Sequence, residues 1–365
     1  MKKISDYIKI NPNNLYKIAR SAWSCMKWSK ISNPPVRLQI ELSGVCNLKC
    51  DMCPQGVLKT DVLKSGVIDF ETYKRIFDQI KPLLVDYTGQ GETLLNPSLF
   101  EIAKYTKDKG AEFGFNTNFT LMNKTNFQRL YDIGISYIGF SLDSINKKTY
   151  EKIRKGAVFE EVLCNFRDAI KIDKRGVLTI GTVIIDKNVN ELIGFIDYCH
   201  KEFPDIPFVF SPPLTYGLEE METSFKKIGY FTFRKQEFMN KISEAREMAK
   251  QLGLKFTESS LDDCFQYFNT DRRHNSDKIC YMPYVNVMIY ANGTVAPCCY
   301  MPFKSYSFGN IFKQSFNQIW NNKNFQDFRL KLKNNRQSIK ECTLCRFYSN
   351  QDKIISPLRR VLFIK

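Results

Sequence analysis

From Val36 onward the chain alternates two hydrophobic periods. Short apolar runs predict strands at Val36–Leu42, Leu84–Thr88, Glu112–Asn116, Tyr137–Leu142, Leu178–Ile184 and Phe208–Ser211. Between them, stripes with a period near 3.6 predict helices at Phe70–Lys81, Pro97–Lys109, Lys124–Ile133, Phe159–Lys171 and Asn190–Glu202. Six strands interleaved with helices imply a parallel sheet with right-handed crossovers. Ahead of them, residues 13–28 place Leu15, Ile18, Ala19, Ala22, Cys25 and Met26 on one helical face, with Lys17, Arg20, Ser21, Ser24 and Lys27 opposite. Such a face packs on a domain or, with Trp23 and Trp28 beside it, lies on a membrane surface; Pro34-Pro35 ends it. Residues 216–276 break the alternation with a charged helix near Arg234–Leu252 and an aromatic flank at Phe265–Phe268, a connector or substrate-side insertion.

Composition narrows the class. With 365 residues and 43% apolar content the chain can bury one large core and a smaller one. It has no apolar run long enough to span a bilayer, and Lys17, Arg20, Lys27 and Lys30 interrupt any signal-peptide core, so a cytoplasmic location is expected. The charge of +16 sits at the ends, +7 in residues 1–37 and +8 in residues 323–365, leaving the centre near +1. Basic ends suit an acidic protein partner or anionic lipid; no nucleic-acid module accompanies them. Only His200 and His274 are present, which argues against a histidine-led hydrolase.

Twelve cysteines in such a chain point to metal or redox use rather than disulfides. Cys25, Cys164, Cys199 and Cys264 stand alone and read as small buried hydrophobes. Cys46-Asn-Leu-Lys-Cys50-Asp-Met-Cys53 follows the first strand as a loop, and no fourth cysteine appears before Cys164. Three thiolates can hold three irons of a four-iron cluster and leave the fourth open to chemistry. The plainer alternatives are a zinc site or three unrelated thiols, although zinc favours paired cysteines and a closed tetrahedron.

The C-x3-C-x2-C spacing resembles that of the radical SAM enzymes, whose open-iron [4Fe-4S] cluster chelates S-adenosylmethionine. The resemblance implies an α/β fold, a partial (β/α)6 barrel of parallel strands with a small C-terminal α+β iron-sulfur module, and a site at the carboxyl ends of the strands. Its segments would be a basic amphipathic helix at 1–34, the barrel at 35–215, the connector at 216–276, an auxiliary-cluster domain at 277–350 and a basic tail at 351–365. Tyr87-Thr-Gly-Gln-Gly-Glu-Thr93 resembles the family's Gly-Gly-Glu element, which assigns the methionyl ammonium to Gln90, Gly91 and Glu92. Asn116-Thr-Asn-Phe-Thr-Leu121 is similar to a Thr-Asn-Gly-Thr-Leu stretch, with Thr117 and Asn118 as cofactor contacts and Phe119 in place of glycine. Ser141, in Gly139-Phe-Ser-Leu-Asp-Ser144, would face the cofactor and shares a strand face with Asp143. Arg154 would pair with the methionine carboxylate; otherwise it is an exposed helix charge between Lys152 and Lys155.

Downstream, Cys280, Cys298, Cys342 and Cys345 supply four thiols, with Gly293–Cys298 reading as a hairpin. The Cys342-x2-Cys345 pair alone would also suit zinc. With Phe308-Gly-Asn-Ile311 and Gln318-Ile-Trp320 the segment resembles a SPASM extension in its shortened, Twitch-like form, which implies one auxiliary [4Fe-4S] cluster; Cys299 competes with Cys298 for one ligand position. The activity implied is reductive cleavage of S-adenosylmethionine to a 5'-deoxyadenosyl radical, hydrogen abstraction from substrate, and passage of an electron to the auxiliary cluster. An acidic donor such as flavodoxin or ferredoxin would supply electrons. The single auxiliary cluster and the short stretch before the barrel resemble enzymes that oxidise an alcohol of a small sugar- or cyclitol-like substrate. Peptide or protein maturation is the alternative within the class, and a non-catalytic metal-stabilised binding scaffold the alternative outside it. No residue is assigned as the base that takes the substrate proton.

Overall fold

The computed structural model describes residues 12–27, 29–30, 32–57, 66–213, 235–254, 257–258, 260–262, 264–265, 280–301, 308–343 and 345. Residues 1–11, the connector stretches 214–234 and 266–279, and the tail 351–365 lie outside the described residues. The first part of the chain comprises α1 (Pro12–Met26), β1 (Arg37–Ile40), α2 (Phe70–Ile80), β2 (Leu84–Tyr87), α3 (Leu99–Asp108), β3 (Glu112–Thr117), α4 (Lys124–Ile133) and β4 (Tyr137–Ser141). Then come α5 (Lys147–Ile153), α6 (Phe159–Ile172), β5 (Leu178–Val183), α7 (Leu192–Glu202), β6 (Phe208–Ser211) and α8 (Lys235–Gln251). The last elements are β7 (Asn286–Ile289), β8 (Val295–Ala296), α9 (Phe316–Trp320) and α10 (Lys323–Asn335). The ends of the predicted elements agree with these to within two residues. α4 shows why: Asn123 caps its first turn by accepting from the Asn126 N–H, and Gly134 ends it in the left-handed region at φ 98°.

The hydrogen-bonded strand order is β6-β5-β4-β3-β2-β1-β7-β8. The β1–β2, β1–β7, β2–β3, β4–β5 and β5–β6 pairs are parallel, and β7–β8 is antiparallel. This is the α/β alternation of a partial (β/α)6 barrel, continued past β1 by two strands that the alternation of apolar runs does not reveal.

The chain forms two compact units. One is built of Cys46–Leu63 and Phe115–Arg273. Its core holds the rings of Phe119, Phe140, Phe166 and Phe203, with centroids 4.6 to 5.4 Å apart. Phe119 keeps the glycine-like backbone of the motif it departs from, at φ 63°. Full burial of its ring, its N–H on Thr117 Oγ1 (3.1 Å) and its carbonyl held by Asn165 Nδ2 (3.0 Å) offset about 1–3 kcal/mol of backbone strain. Cys199 and Cys264 are buried as expected, but Cys164 is exposed, because α6 turns it to the face opposite Val162, Leu163 and Phe166.

The other unit is built of Lys2–Val45, Lys64–Gly114 and His274–Lys365. Here β1 lies between β2 and β7, with Arg37 opposite both Leu84 and Asn286. α1 packs within this unit, and Cys25 forms a small core with Tyr284 and Val285. Its buried face is wider than predicted: Ser21 and Ser24 are buried too, because Ser21 Oγ donates to Pro34 O (3.3 Å) and Ser24 Oγ accepts from Asn33 Nδ2 (3.0 Å). Arg329, 1% exposed, braces the same region by donating to Pro283 O, Lys30 O, Asn321 Oδ1 and Trp320 O at 3.0–3.2 Å. Its guanidinium also lies 4.6 Å from the centre of the Trp320 ring. Asn321 in turn brackets Ser32, accepting from its N–H (2.8 Å) and donating to its carbonyl (3.0 Å). No helix among the described residues is long and apolar enough to cross a membrane.

Candidate functional site

In the first unit the loop of Cys46, Cys50 and Cys53 is held along both sides. The Lys49 and Asp51 N–H groups donate to Lys155 O and Ile153 O, each at 3.0 Å, so the loop pairs with the end of α5. On the other side Asn118 Nδ2 donates to Asn47 Oδ1 (3.0 Å) and Asn47 Nδ2 to Thr120 Oγ1 (2.8 Å). Asn118 Oδ1 also receives the Thr120 N–H (3.0 Å), which fixes the turn after β3. The last cysteine starts a helical turn, Pro54–Val57, whose Gly56 and Val57 N–H groups point to Cys53 O. Gly56 is required there, because a Cβ would sit 2.1 Å from Cys50 O.

None of the three is in a disulfide. Burial pushes Cys50 up to about 11, with Arg154 pulling the other way and Asp143 and Cys46 adding to the rise. Burial and then Cys50 push Cys53 up to about 12. Thiols raised by burial and by neighbouring sulfurs, as those of Cys50 and Cys53 are, are costly as bare thiolates. They are a fitting donor set for a cation-rich cluster, which would take up that charge.

Arg154 is not an exposed helix charge. It caps the end of α5 and is buried, its Nε 2.7 Å from Asp143 Oδ2 and out of line for a hydrogen bond, its Nη1 3.9 Å from Cys50 Sγ. Asp143 is fully buried and its Oδ1 accepts the Val183 N–H at 2.8 Å. Ser141, half-buried, ends β4 two residues earlier. Asp51, between two of the cysteines, pairs with Lys155 (2.5 Å) and Lys187. After β5, Asn188 Nδ2 donates to Asp143 O (2.7 Å) and Val183 O (2.9 Å), which fixes the turn that carries Asp186. The Asp186 Oδ2 is buried with no hydrogen-bond partner among the described residues, and burial pushes its carboxyl up to about 6. The sequence reading gave Asp143 no role beyond its strand face and missed Asp186; the only sequence signal was an acid just past the apolar end of a predicted strand.

In the second unit Gln90, Gly91 and Glu92 lie against the segment after β1. A Cβ on Gly91 would meet Ser43 O at 2.1 Å and Val45 O at 2.6 Å, so only glycine allows the approach. The Glu92 N–H donates to Val45 O (2.8 Å), and its buried carboxylate accepts from the Leu94 N–H (3.2 Å). Glu41, which the sequence reading passed over, ties the element down: its Oε1 accepts the Gln90 N–H (2.6 Å) and its Oε2 the Ala291 N–H (3.1 Å). The available signal was an acid that alternates with Arg37 and Gln39 along the predicted strand.

The same unit gathers the downstream cysteines. Burial raises the Cys298 thiol well above its ordinary value, and Cys299, Cys345, Cys280 and Cys342 raise it further. Cys342 is raised by burial, then by Cys280 and Cys345. Three predicted ligands and the competing Cys299 thus lie within electrostatic reach of the fourth, Cys298, a donor set whose chemistry suits an iron-sulfur site. Cys25 on α1 lies within electrostatic reach of Cys280: burial and then Cys280 push its thiol up to about 12.

The Radical SAM superfamily profile matches residues 40–199, and the SPASM iron-sulfur cluster-binding domain profile matches residues 280–346. The AdoMet-dependent heme synthase of Methanosarcina barkeri is 26% identical over 337 residues, 87% of this chain and 90% of that protein. The tungsten-containing aldehyde ferredoxin oxidoreductase cofactor-modifying protein of Pyrococcus furiosus is 22% identical over 86% of this chain and 90% of that one. Among solved structures, Streptococcus suis SuiB bound to the precursor peptide SuiA superposes with a TM-score of 0.65 at 17% identity, over 92% of this chain and 76% of that chain. The two profile matches together make this chain a radical SAM enzyme with a SPASM domain, whose cofactors are S-adenosylmethionine, a [4Fe-4S] cluster and auxiliary iron-sulfur clusters.

Proposed function

We propose that the protein is an oxidoreductase that removes two electrons and two protons from an alcohol of a small sugar- or cyclitol-like substrate. The pair of thiol sets carries this reading, an open triplet in one unit and a larger group in the other. When bound, the cofactors supply a 5'-deoxyadenosyl radical that takes a hydrogen atom and, at the auxiliary site, a one-electron sink. Cys46, Cys50 and Cys53 would hold the open cluster. Cys280, Cys298, Cys342 and Cys345 would hold one auxiliary [4Fe-4S] cluster of the shortened SPASM kind, with Cys299 the alternative to Cys298. Gln90, Gly91 and Glu92 would orient the methionyl ammonium, Arg154 its carboxylate, and Thr117, Asn118 and Ser141 the rest of the cofactor.

A carbinol must also lose its hydroxyl proton. Asp186 suits this task, since Oδ2 has no hydrogen-bond partner among the described residues and burial raises its carboxyl to about 6. The neighbouring Lys187 is turned to Asp51, and no ion pair to the Asp186 carboxyl is found among the described residues. Reducing equivalents would come from an acidic carrier such as flavodoxin or ferredoxin, consistent with a net charge of +16. The likeness to SuiB with its bound peptide favours a second reading, modification of a peptide.

The test is 5'-deoxyadenosine release by anaerobically reconstituted protein given S-adenosylmethionine and a strong reductant, with sugars, aminocyclitols and short peptides supplied in turn. Release that depends on Cys46, Cys50 and Cys53 and rises with a cyclitol or sugar is the expected result. A rise only with peptides would move the assignment to the second reading. No release from iron-loaded protein with any of them would favour a binding scaffold.

A further inference from the structure

Arg154 and Asp143 form a buried ion pair that the sequence spacing does not explain. Arg154 is 8% exposed, and the Asp143 side chain is fully buried. Taking both charges out of water is costly unless the pair serves a third group. That group is the Cys50 sulfur, 3.9 Å from Nη1. Two backbone hydrogen bonds hold this approach, since the Lys49 and Asp51 N–H groups on either side of Cys50 bond to Lys155 O and Ile153 O on either side of Arg154. Asp143 is fixed in turn by the Val183 N–H at 2.8 Å and by Asn188 at its carbonyl. The chain from β5 through Asp143 to Arg154 therefore ends on a cysteine of the open triplet.

We propose that Arg154, aimed by Asp143, is a positioning residue that donates an N–H to the Cys50 sulfur and raises the reduction potential of the cluster held by Cys46, Cys50 and Cys53. The inference rests on reading those three cysteines as cluster ligands. Reduction adds one electron, supplied by the acidic carrier or a chemical reductant, and so one negative charge. A fixed cation and an N–H aimed at a ligand sulfur favour the reduced form. Asp143 opposes this with its own charge while holding the guanidinium in place, so the two residues pull the potential in opposite directions.

The experiment is an EPR-monitored redox titration of anaerobically reconstituted protein without S-adenosylmethionine, so that any part Arg154 plays in binding the cofactor is silent. The signal followed is the one lost in the Cys46→Ala, Cys50→Ala, Cys53→Ala variant. Arg154→Gln should lower the reduced-to-oxidised ratio about tenfold at a fixed potential, a shift of about 59 mV to more negative values for a one-electron couple. Asp143→Asn should shift it the other way, and Arg154→Lys should restore part of the loss. A purely structural role would not give opposite signs. If Arg154→Gln does not hold iron, Arg154→Lys, which keeps the charge but loses the N–H aimed at Cys50 Sγ, decides alone: a negative shift supports the role, and no shift or a positive one overturns it. If no part of the parent signal is lost when the triplet is removed, the ligand assignment is refuted, and the inference falls with it. A triplet-dependent signal whose potential ignores both substitutions refutes only the role of Arg154.

Discussion

Replacing Gly56 by alanine tests how the cysteine loop is built. The added Cβ would lie 2.1 Å from Cys50 O and 2.9 Å from the carbonyl carbons of Cys50 and Lys49. These are backbone atoms and cannot rotate aside, so the Cys50 carbonyl must retreat by about 1 Å to reach a tolerable contact. That retreat stretches the 3.1 Å bond from the Cys53 N–H to Cys50 O beyond hydrogen-bonding range. Loss of the bond costs about 1 kcal/mol and overpacking about 1–3 kcal/mol, so Gly56→Ala should destabilise the fold by about 2–4 kcal/mol. It should also displace Cys50 relative to Cys53 and reduce iron incorporation by about one cluster per chain. The assay is the urea midpoint together with iron and sulfide content after reconstitution. Gly194→Ala is the matched control: Gly194 sits in α7 with nothing within 4 Å of its added Cβ. Helix propensity alone should then stabilise the protein by up to about 1 kcal/mol. If Gly56→Ala kept the parent midpoint and iron content, the packing argument would be wrong.

Three further outcomes are expected. Gly91→Ala should break the Glu92 to Val45 bond and weaken S-adenosylmethionine binding at least about tenfold in equilibrium dialysis; parent affinity would argue against a cofactor role for this turn. Arg329→Met should cost about 3–5 kcal/mol in urea denaturation, because carbonyls at Lys30, Pro283 and Trp320 lose their donor; a loss below about 1 kcal/mol would contradict the bracing role. Burial raises the Asp186 carboxyl from 3.8 to about 6, so native stability contributed by this site is fully present below 3.8 and is lost as pH rises through 6. Asp186→Asn should remove that dependence and stabilise the protein at pH 7 by about 1 kcal/mol after allowing for solvent screening, while product formation falls; a stability difference between parent and variant that is flat from pH 4 to 7 would count against a raised carboxyl.

The first six strands and their helices were legible because each carries its own period and stop signals. α4 has Asn123 and Gly134 at its ends, and α2 has Asp69 as an N-cap. Strand β7 was not, although Asn286–Ile289 is a short buried run, because nothing local says that its partner is Arg37–Ile40. The grouping of the cysteines into two sets was read from their spacing and from a family resemblance. What spacing could not show is where long side chains go. Arg154 looks like its exposed lysine neighbours until Asp143 and Cys50 arrive from elsewhere in the chain, and Glu41 looks like a surface acid until Gln90 and Ala291 close on it. Phe119 departs from the glycine of its motif yet keeps the glycine conformation, because ring packing pays for the strain.

The placement of β7 beside β1 governs the order in which the protein can assemble. β1 and β2 are close in sequence and can pair early, whereas the opposite edge of β1 waits for residues synthesised some 250 positions later. Closing so long a loop is entropically slow, and contacts of this separation form late in folding. Until then Leu38 and Ile40, fully buried in the finished protein, belong to an open parallel edge able to pair with another chain. A chain that stops before Asn286 should therefore aggregate rather than yield a working first half, and the downstream segment serves as the chaperone of the strand that leads into the cysteine loop.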